Sequence, residues 1–402
     1  MRRLPFGAFA LLALWITSFG TVAWAGEPDA SAAAQAYLQR WQAETGAPGV
    51  SAAVSVGPEL VFSGGVGISD LQSGTPQNGR SVHNIGSISK TQAVVAVLQL
   101  VEQGKVDLDA EIQTYAPWFP RKAQPVTVRQ ILTHTSGIRH YKDGEFGPDE
   151  VLSFRHYERF EESTRFWRDD PLVFEPGTRW MYSSFATNLI HAIVEKASGQ
   201  GFEEYLTEHV WRPAGMADTR FDVPSRIVPR RGQGYERGKD GQLQNARAED
   251  VSYKYAGGGV ISTDEDLCRF GIALNSGRLL KSGTLAEAYR LQLRPDIPYP
   301  EAEMQEYSAA HPGQSKPSRG LRQGLIFALD RDVEGRRYAG HSGSVKGTES
   351  RFTNYYQDGV VVAIHFNLGD AGAVDMLKAA EALAQLYLPA PKLEKAKPAR
   401  AR

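Results

Sequence analysis

The chain of 402 residues contains a single cysteine, Cys268. One thiol cannot close a disulfide within the chain, and it cannot build a cysteine-based zinc or iron–sulfur site. The residues around it, 264–270, combine acidic and apolar side chains in the manner of an amphipathic helix. We therefore expect Cys268 to be a buried structural thiol, with a catalytic cysteine as the alternative.

An excess of charge is also absent. The chain has 45 Lys and Arg against 46 Asp and Glu, a net charge of -1, whereas binding to a phosphate backbone needs a basic excess. The sequence contains neither a His-Glu-x-x-His pair nor a glycine-rich phosphate loop, so it indicates no metal and no nucleotide. We expect no cofactor and no nucleic-acid partner. The expected partner is a small-molecule or peptide substrate.

Long apolar runs are absent except near the start of the chain. Two arginines precede an apolar stretch over residues 6–19, and a small-x-small site, Ala23-Trp24-Ala25, follows it. This pattern predicts a signal peptide over residues 1–25 and a periplasmic or secreted protein, with an uncleaved anchor as the alternative. After removal of the leader, we expect no stable membrane insertion. Residues 389–402 are rich in Pro, Ala, Lys and Arg, which predicts a disordered basic tail.

Hydrophobic periodicity divides the rest of the chain into a sheet part and a helical part. Helical spacing covers residues 32–45, 87–104 and 373–386, and strand-like runs cover residues 50–56, 60–66, 324–329, 348–356 and 360–367. Because both ends carry strands, we predict an α+β fold with one sheet from about residues 33–86 and 315–388, and a helical part at about 87–314. Residues 140–170, rich in aromatic and charged side chains, are expected to form a lid or a wall.

The clearest chemical signal is Ser87-Ile88-Ser89-Lys90, at the junction between a strand-like segment, residues 81–85, and a buried helix. A serine in the first turn of that helix lies near the positive end of the helix dipole, and a lysine three residues on lies on the same face. Burial disfavours a charged lysine, so Lys90 can accept the serine proton. The alternative role of Ser87 is that of a helix cap.

A second candidate is Tyr182, which follows a Pro-Gly turn and precedes a helix. A tyrosine can carry a proton if a nearby cation such as Lys90 lowers its pKa, and a packed aromatic is the alternative. His134 is expected to tie down a helix end rather than to bind a metal.

A third candidate is His341-Ser342-Gly343-Ser344, between strand-like segments. Gly343 would let a substrate backbone approach closely, and a strand edge would offer amide groups to an acyl oxygen. A Gly-x-Ser-x-Gly nucleophile elbow around Ser342 is rejected, because Ser344 stands where its last glycine belongs and the following residues are strand-like.

Taken in order, these segments resemble the serine β-lactamase and penicillin-binding-protein superfamily, in particular the class C β-lactamase-related serine hydrolases. Within that group the similarity is greatest to the mitochondrial serine β-lactamase-like peptidases. The resemblance spans about residues 35–388. The matching motifs are Ser87-Ile88-Ser89-Lys90, His134-Thr135-Ser136-Gly137-Ile138-Arg139-His140-Tyr141, Asp170-Pro171-Leu172, Pro176-Gly177, Tyr182-Ser183-Ser184-Phe185, Ser252-Tyr253-Lys254, Ala256-Gly257-Gly258-Gly259, Ser262-Thr263 and His341-Ser342-Gly343.

The resemblance implies a serine hydrolase domain over residues 26–388, in which an antiparallel sheet flanked by helices and an all-helical subdomain enclose the active-site cleft. It implies that Ser87 is the acylated nucleophile, Lys90 its activating partner and Tyr182 the proton relay. The backbone N–H groups of Ser87 and Ser344 would form the oxyanion hole. The residues implied to bind substrate are Ser184, His341, Ser342 and Gly343.

Two positions depart from the family pattern. Ser184 stands where many members have an asparagine that binds the acyl side chain of the substrate. His341 stands where a lysine often binds the substrate carboxylate, and an imidazole with a pKa near 6.5 is mostly neutral at pH 7. Losing a charge-assisted hydrogen bond costs about 1.5–3 kcal/mol, which argues against efficient β-lactam hydrolysis.

The expected function is therefore an exported, cofactor-free acyl-serine hydrolase that cleaves a peptide amide. Three alternatives stay open: an esterase on small acyl esters, a β-lactamase or D-alanyl carboxypeptidase, and an inactive binding protein on the same fold.

Overall fold

The computed structural model describes residues 28–142, 145, 154–294, 297, 322–345, 347–369 and 374–390. The predicted leader, most of the predicted basic tail and part of the segment 140–170 lie outside these residues. The helices are α1 (Pro28–Thr45), α2 (Ser89–Glu102), α3 (Val128–Leu132), α4 (Phe160–Ser163), α5 (Ser184–Asn188), α6 (Ile190–Ser198), α7 (Phe202–Leu206), α8 (Arg212–Ala214), α9 (Tyr255–Gly258), α10 (Asp264–Asn275), α11 (Ser282–Ala288) and α12 (Met376–Gln385).

Strands occur at both ends of the described chain and, as short pieces, in its middle. They are β1 (Gly49–Val56), β2 (Glu59–Asp70), β3 (Thr75–Pro76), β4 (His83–Asn84), β5 (Arg220–Phe221), β6 (Tyr235–Arg237), β7 (Leu243–Asn245), β8 (Val260–Ser262), β9 (Arg322–Gln323), β10 (Ala328–Arg331), β11 (Arg337–Val345), β12 (Thr348–Tyr355) and β13 (Val360–Phe366). Short 3₁₀ turns, Gly86–Ile88 and Ser252–Lys254, precede α2 and α9.

The two ends of the chain build one antiparallel sheet. Among the described strands its order is β3-β2-β1-β13-β12-β11-β10-β9. The first hairpin is thus joined to the C-terminal strands through β1 and β13, which pair with Ala53 opposite Ala363. The α+β fold with an antiparallel sheet is confirmed.

Alternation along the central strands explains why helices cover both faces of the sheet. Val54 and Val362 belong to the core that includes residues of α1 and α12, while Ala53 and Ala363 belong to the core that includes residues of α2 and α10. Successive side chains of a strand point to opposite faces, so β1 and β13, which are buried at almost every position, need cover on both sides. The helix α2 is buried along almost its whole length. The residues at its N-terminus are therefore rigidly placed.

Some predicted elements differ in extent. The strand-like run 324–329 becomes a strand only from Ala328, because Ile326 has a left-handed backbone with φ +67° that turns the chain. The run 81–85 contributes only the two residues of β4, which pair with β8. Cys268 lies in α10 and is buried, as expected. Among the described residues, no helix combines the length and the apolar character needed to cross a membrane.

Candidate active site

Ser87 is held in a tight turn between β4 and α2. It lies in the 3₁₀ turn Gly86–Ile88, just before α2 rather than in the first turn of that helix. Gly86 has a left-handed backbone, φ +50°, and a Cβ on it would lie 2.8 Å from the backbone nitrogen of Ser344. Glycine is the residue that tolerates both conditions. The turn therefore brings the Ser87 segment against β11.

Two polar groups meet at the Oγ of Ser87. The Nζ of Lys90 lies 2.9 Å from this oxygen, and the Tyr182 hydroxyl lies 2.8 Å from it. Ser87 is partly exposed, whereas Lys90 is fully buried. The residue at the N-cap of α2 is Ile88, so Ser87 does not occupy the capping position. Tyr182, 95 positions from Ser87 in the chain, is thus brought to the same oxygen as Lys90.

The surroundings of Lys90 favour its neutral form. Burial lowers the pKa of Lys90 well below its usual value, and repulsion from the Lys254 ammonium lowers it further. The Nζ donates to the Oγ of Ser184 at 3.1 Å and to the backbone carbonyl of Gly257. A neutral amine beside the Ser87 hydroxyl is able to accept its proton.

Three imidazoles surround the ring of Tyr182. The ring centroids of His134, His140 and His341 lie 4.6, 5.4 and 6.1 Å from that of Tyr182. The Nδ1 of His134 accepts the backbone N–H of Ser183 at 3.2 Å. Burial lowers the pKa of His134 well below its usual value, so this ring is neutral. Within the described part of the chain, no three His, Cys, Asp or Glu side chains lie together as metal ligands.

The third predicted segment lies within β11 rather than between strands. β10 pairs with β11 only as far as Gly340, so among the described strands residues 341–345 pair with β12 alone. The backbone nitrogen of Ser344 lies beside the Gly86 turn. A strand edge next to the nucleophile can offer backbone N–H groups of the kind that form an oxyanion hole, and the role of Ser87 and Ser344 in one stays a prediction.

Gly343 and Ser342 face opposite sides of β11, because side chains alternate along a strand. A Cβ on Gly343 would lie 1.9 Å from the carbonyl oxygen of Ile85, so packing within the protein already requires a glycine. The Oγ of Ser342 accepts a hydrogen bond from Arg351 at 3.0 Å, on the opposite face of the strand. The contact of both residues with a substrate stays a prediction.

The two residues that depart from the family pattern have defined partners. Ser184 is buried, its hydroxyl lies at Lys90, and its backbone N–H donates to the Nδ1 of His140 at 3.1 Å. His341 is half-buried, and its Nδ1 lies 2.6 Å from the carbonyl oxygen of Ser342. Burial lowers the pKa of His341 to about 3, so it is neutral at pH 7. Substrate binding by Ser184 and His341 also stays a prediction.

Sequence reasoning missed the polar residues that lie behind Lys90. The Nζ of Lys254 lies 2.9 Å from the Oε1 of Glu249, and the Tyr253 hydroxyl donates to the same oxygen at 2.7 Å. The side chains of Glu249 and Lys254 are 7% and 11% exposed. The motif Ser252-Tyr253-Lys254 contains two of these residues, but the spacing of the residues assigns no role to them.

Comparisons with known proteins agree with this geometry. Residues 33–386 match the model of the beta-lactamase family. The human mitochondrial serine beta-lactamase-like protein LACTB is 31% identical over 304 residues, which cover 60% of this chain and 55% of that protein. Esterase EstB from Burkholderia gladioli is 32% identical over 43% of this chain and 47% of its own length.

A similar solved structure is the D-stereospecific amidohydrolase from Streptomyces sp., with 25% identity and a TM-score of 0.71. That alignment covers 88% of this chain and 98% of the other. By contrast, the chain spans about half the length of the curated relatives that it matches.

Proposed function

The chain belongs to the beta-lactamase family of serine hydrolases, and from this premise we propose that it is an exported enzyme that cleaves a peptide or other amide bond through an acyl-enzyme on Ser87. The contacts that the Ser87 Oγ makes with the Lys90 Nζ and with the Tyr182 hydroxyl carry the proposal. In the described part of the chain, the Nζ of Lys90 contacts two hydroxyls and a carbonyl and no carboxylate. Burying an amine in this way is costly, and catalysis explains why it lies beside a hydroxyl.

Acylation begins when the Ser87 Oγ attacks the substrate carbonyl carbon and its proton passes to the neutral Nζ of Lys90. The backbone N–H groups of Ser87 and Ser344 stabilise the oxyanion. When the tetrahedral intermediate collapses, the C–N bond breaks and the leaving nitrogen takes a proton from the Tyr182 hydroxyl, which Lys90 then reprotonates. The products of this half-reaction are the amine and an ester on Ser87.

Deacylation reverses the proton transfers with water in place of the amine. Tyr182 passes its proton to the neutral Lys90 and accepts one from the attacking water. Lys90 then gives its extra proton to the Ser87 oxygen as the ester bond breaks, so that Ser87 leaves as a hydroxyl. The sum of both halves is an amide plus water giving an acid plus an amine. No cofactor takes part in these steps.

Covalent labelling by a fluorophosphonate tests the nucleophile. The wild-type protein should gain one adduct, which peptide mass spectrometry locates on Ser87. The Ser87→Ala variant should gain none, while Ser73→Ala, at an exposed turn, is the matched control and should be labelled at the wild-type rate. Labelling that survives in Ser87→Ala would remove Ser87 from the mechanism.

Single-turnover kinetics test the base. We expect Lys90→Ala to slow acylation by about 10²–10⁴-fold, because general-base catalysis contributes roughly that factor. Substrate binding should change little, since Lys90 is buried behind Ser87. An unchanged acylation rate in this variant would contradict the assigned role.

An esterase is the second candidate function, and the similarity to Esterase EstB favours it. Amide cleavage is preferred because Tyr182 contacts the nucleophile and can protonate a poor leaving group. A panel of internal peptide bonds, amino-acid amides and p-nitrophenyl esters separates the two. Ester turnover without any amide turnover would replace the proposed activity by the esterase.

Cell-wall substrates and β-lactams are the weaker candidates. These substrates carry a carboxylate, and the neutral His341 offers no charge to it. A chromogenic cephalosporin and a D-Ala-D-Ala peptide should therefore be turned over slowly relative to neutral amides. Efficient turnover of either would reverse this order.

Export is proposed from the leader pattern of residues 1–25. The mass of the mature protein recovered from the periplasm or the medium should correspond to a chain that begins at Gly26. A full-length chain recovered from membranes would favour the uncleaved anchor instead.

A further inference from the structure

Behind Lys90, a line of hydrogen-bonded hydroxyls leads to a carboxylate. The Nζ of Lys90 contacts the Oγ of Ser184, and the Tyr141 hydroxyl is hydrogen bonded to both Ser184 and Tyr253. The Tyr253 hydroxyl in turn lies 2.7 Å from the Oε1 of Glu249. We refer to Ser184, Tyr141 and Tyr253 as the hydroxyl chain. It connects the amine of the active site to an acidic group outside it.

The hydroxyl chain ends at Glu249, a carboxylate whose charge is fixed by an ion pair. Its Oε1 lies 2.9 Å from the Nζ of Lys254, and both side chains are nearly buried. A buried carboxylate beside an ammonium is ionised, because the opposite charge favours the charged form. An ionised carboxylate accepts hydrogen bonds and donates none.

Each hydroxyl has one proton to donate, and this determines the direction of the chain. Tyr253 must donate to Glu249, so its oxygen accepts the proton of Tyr141. Tyr141 then accepts from Ser184. The Ser184 hydroxyl has used its proton, and it can only accept from Lys90.

The direction of the chain decides where the lone pair of Lys90 points. A neutral amine has two N–H groups and one lone pair. One N–H is directed to Ser184, and the other to the carbonyl of Gly257, which is also only an acceptor. The third position around Nζ faces the Ser87 Oγ, 2.9 Å away. The lone pair is thus aimed at the proton that it has to remove.

We propose that Glu249 is a positioning residue that acts through the hydroxyl chain to direct the lone pair of Lys90 at Ser87. This inference rests on the proposed function, since it presumes that Ser87 is the nucleophile. It also explains why position 184 is a serine. A hydroxyl donates its one proton along the hydroxyl chain, and it can then only accept a hydrogen bond from Lys90, in a single orientation.

The test separates the orientation of Lys90 from its ionisation. The titratable groups that interact with Lys90 are Lys254, His134, His341 and, across its ring face, Tyr182. Substitutions near these groups change the pH at which Lys90 loses its proton. The rate of fluorophosphonate labelling should therefore be measured across pH, and its plateau at high pH, where Lys90 is neutral in every variant, is the quantity to compare.

Two variants interrupt the chain at different points. Tyr253→Phe removes one hydroxyl, and Glu249→Leu combined with Lys254→Met removes the ion pair as a unit, so that no buried charge is left unpaired. Each should lower the plateau rate constant by about tenfold, the effect of losing one oriented hydrogen bond. Combining all three substitutions should again lower the plateau rate constant by about tenfold. Once one substitution has interrupted the hydroxyl chain, the others cannot weaken the orientation of Lys90 any further.

Conservative and matched variants complete the design. Glu249→Gln keeps an acceptor oxygen for Tyr253 and Lys254 and should stay within about twofold of the wild type. Tyr355→Phe, a fully buried tyrosine on the α12 face of the sheet, is the matched control. If a variant unfolds, Tyr141→Phe, at a half-buried position, interrupts the same chain.

The outcomes separate this inference from the proposed function. Wild-type labelling at Ser87 that is lost in Ser87→Ala supports the function independently of the chain. Losses that multiply to about a hundredfold in the combined variant would overturn the role of Glu249. Plateau rate constants that do not change in Tyr253→Phe and in the Glu249→Leu, Lys254→Met variant would overturn it as well.

Discussion

Gly86 connects the fold to the proposed oxyanion hole, and Gly86→Ala tests that connection. Its backbone has φ +50°, and a left-handed conformation costs a residue with a Cβ roughly 1–2 kcal/mol. The new Cβ would also lie 2.8 Å from the backbone nitrogen of Ser344. Ordinary van der Waals contact begins at 3.4 Å, about 0.6 Å more, so the turn and β11 must separate by about that distance.

A displacement of this size misplaces one of the two proposed oxyanion donors. Removing such a donor lowers kcat by about 10²–10³-fold, so we expect a loss of about a hundredfold in kcat/KM on the best substrate. The matched control is Gly57→Ala in the β1–β2 turn, where φ is +55° and no atom lies within 4 Å of the added Cβ. It should lose similar stability and keep its activity.

Thermal unfolding and steady-state kinetics on the two variants distinguish strain from displacement. Both should melt a few degrees below the wild type. Equal activity losses in the two variants would refute the reasoning, because the contact with Ser344 would then have no specific effect. Wild-type activity in Gly86→Ala would refute it too.

Three further predictions concern charge and proton transfer. Lys254→Met removes a repulsion that lowers the pKa of Lys90, so the midpoint of the labelling rate should move to higher pH; an unmoved midpoint would contradict this. Burial raises the pKa of Asp264 to about 7, so the folded protein holds a proton that the unfolded chain releases, and stability falls as pH rises from about 4 to 7. Asp264→Asn should remove this loss. Between about pH 4 and 7, its free energy of unfolding in urea should therefore rise relative to that of the wild type by up to ~4 kcal/mol. A difference between the two proteins that does not change with pH would argue against the raised pKa. Tyr182→Phe should lower amide turnover by about 10²–10⁴-fold and burst acylation by p-nitrophenyl esters much less, because nitrophenolate leaves without a proton; equal losses on both substrates would exclude the role of Tyr182 in protonating the leaving group.

The central strands of the sheet and the helices that cover them are predictable from the sequence because their signals are local. Apolar residues in β1 and β13 recur within a few positions, and burial on the sheet follows directly from that spacing. The strand β10 was placed too early because the left-handed conformation of Ile326 depends on its surroundings. A β-branched residue adopts that conformation only when the rest of the fold imposes it.

In the candidate site, too, local spacing predicts some of the residues, and contacts between distant segments decide the others. Ser87 and Lys90 lie one helical turn apart, and this spacing alone predicts that their side chains approach each other. By contrast, the packing that requires a glycine at position 343 is a contact with the carbonyl of Ile85, a residue more than 250 positions away in the chain. No local pattern contains information about a contact of that kind.

The amino-acid sequence by itself determined the pair of Ser87 and Lys90, the α+β class and the order of the motifs, because each depends on residues near one another in the chain. Only the tertiary structure decided that Tyr182 meets the same oxygen, that β11 exposes its edge there, and that Glu249 stands behind Lys90. These relations depend on distances between segments far apart in the chain, and such distances exist only once the sheet and the helices have packed together.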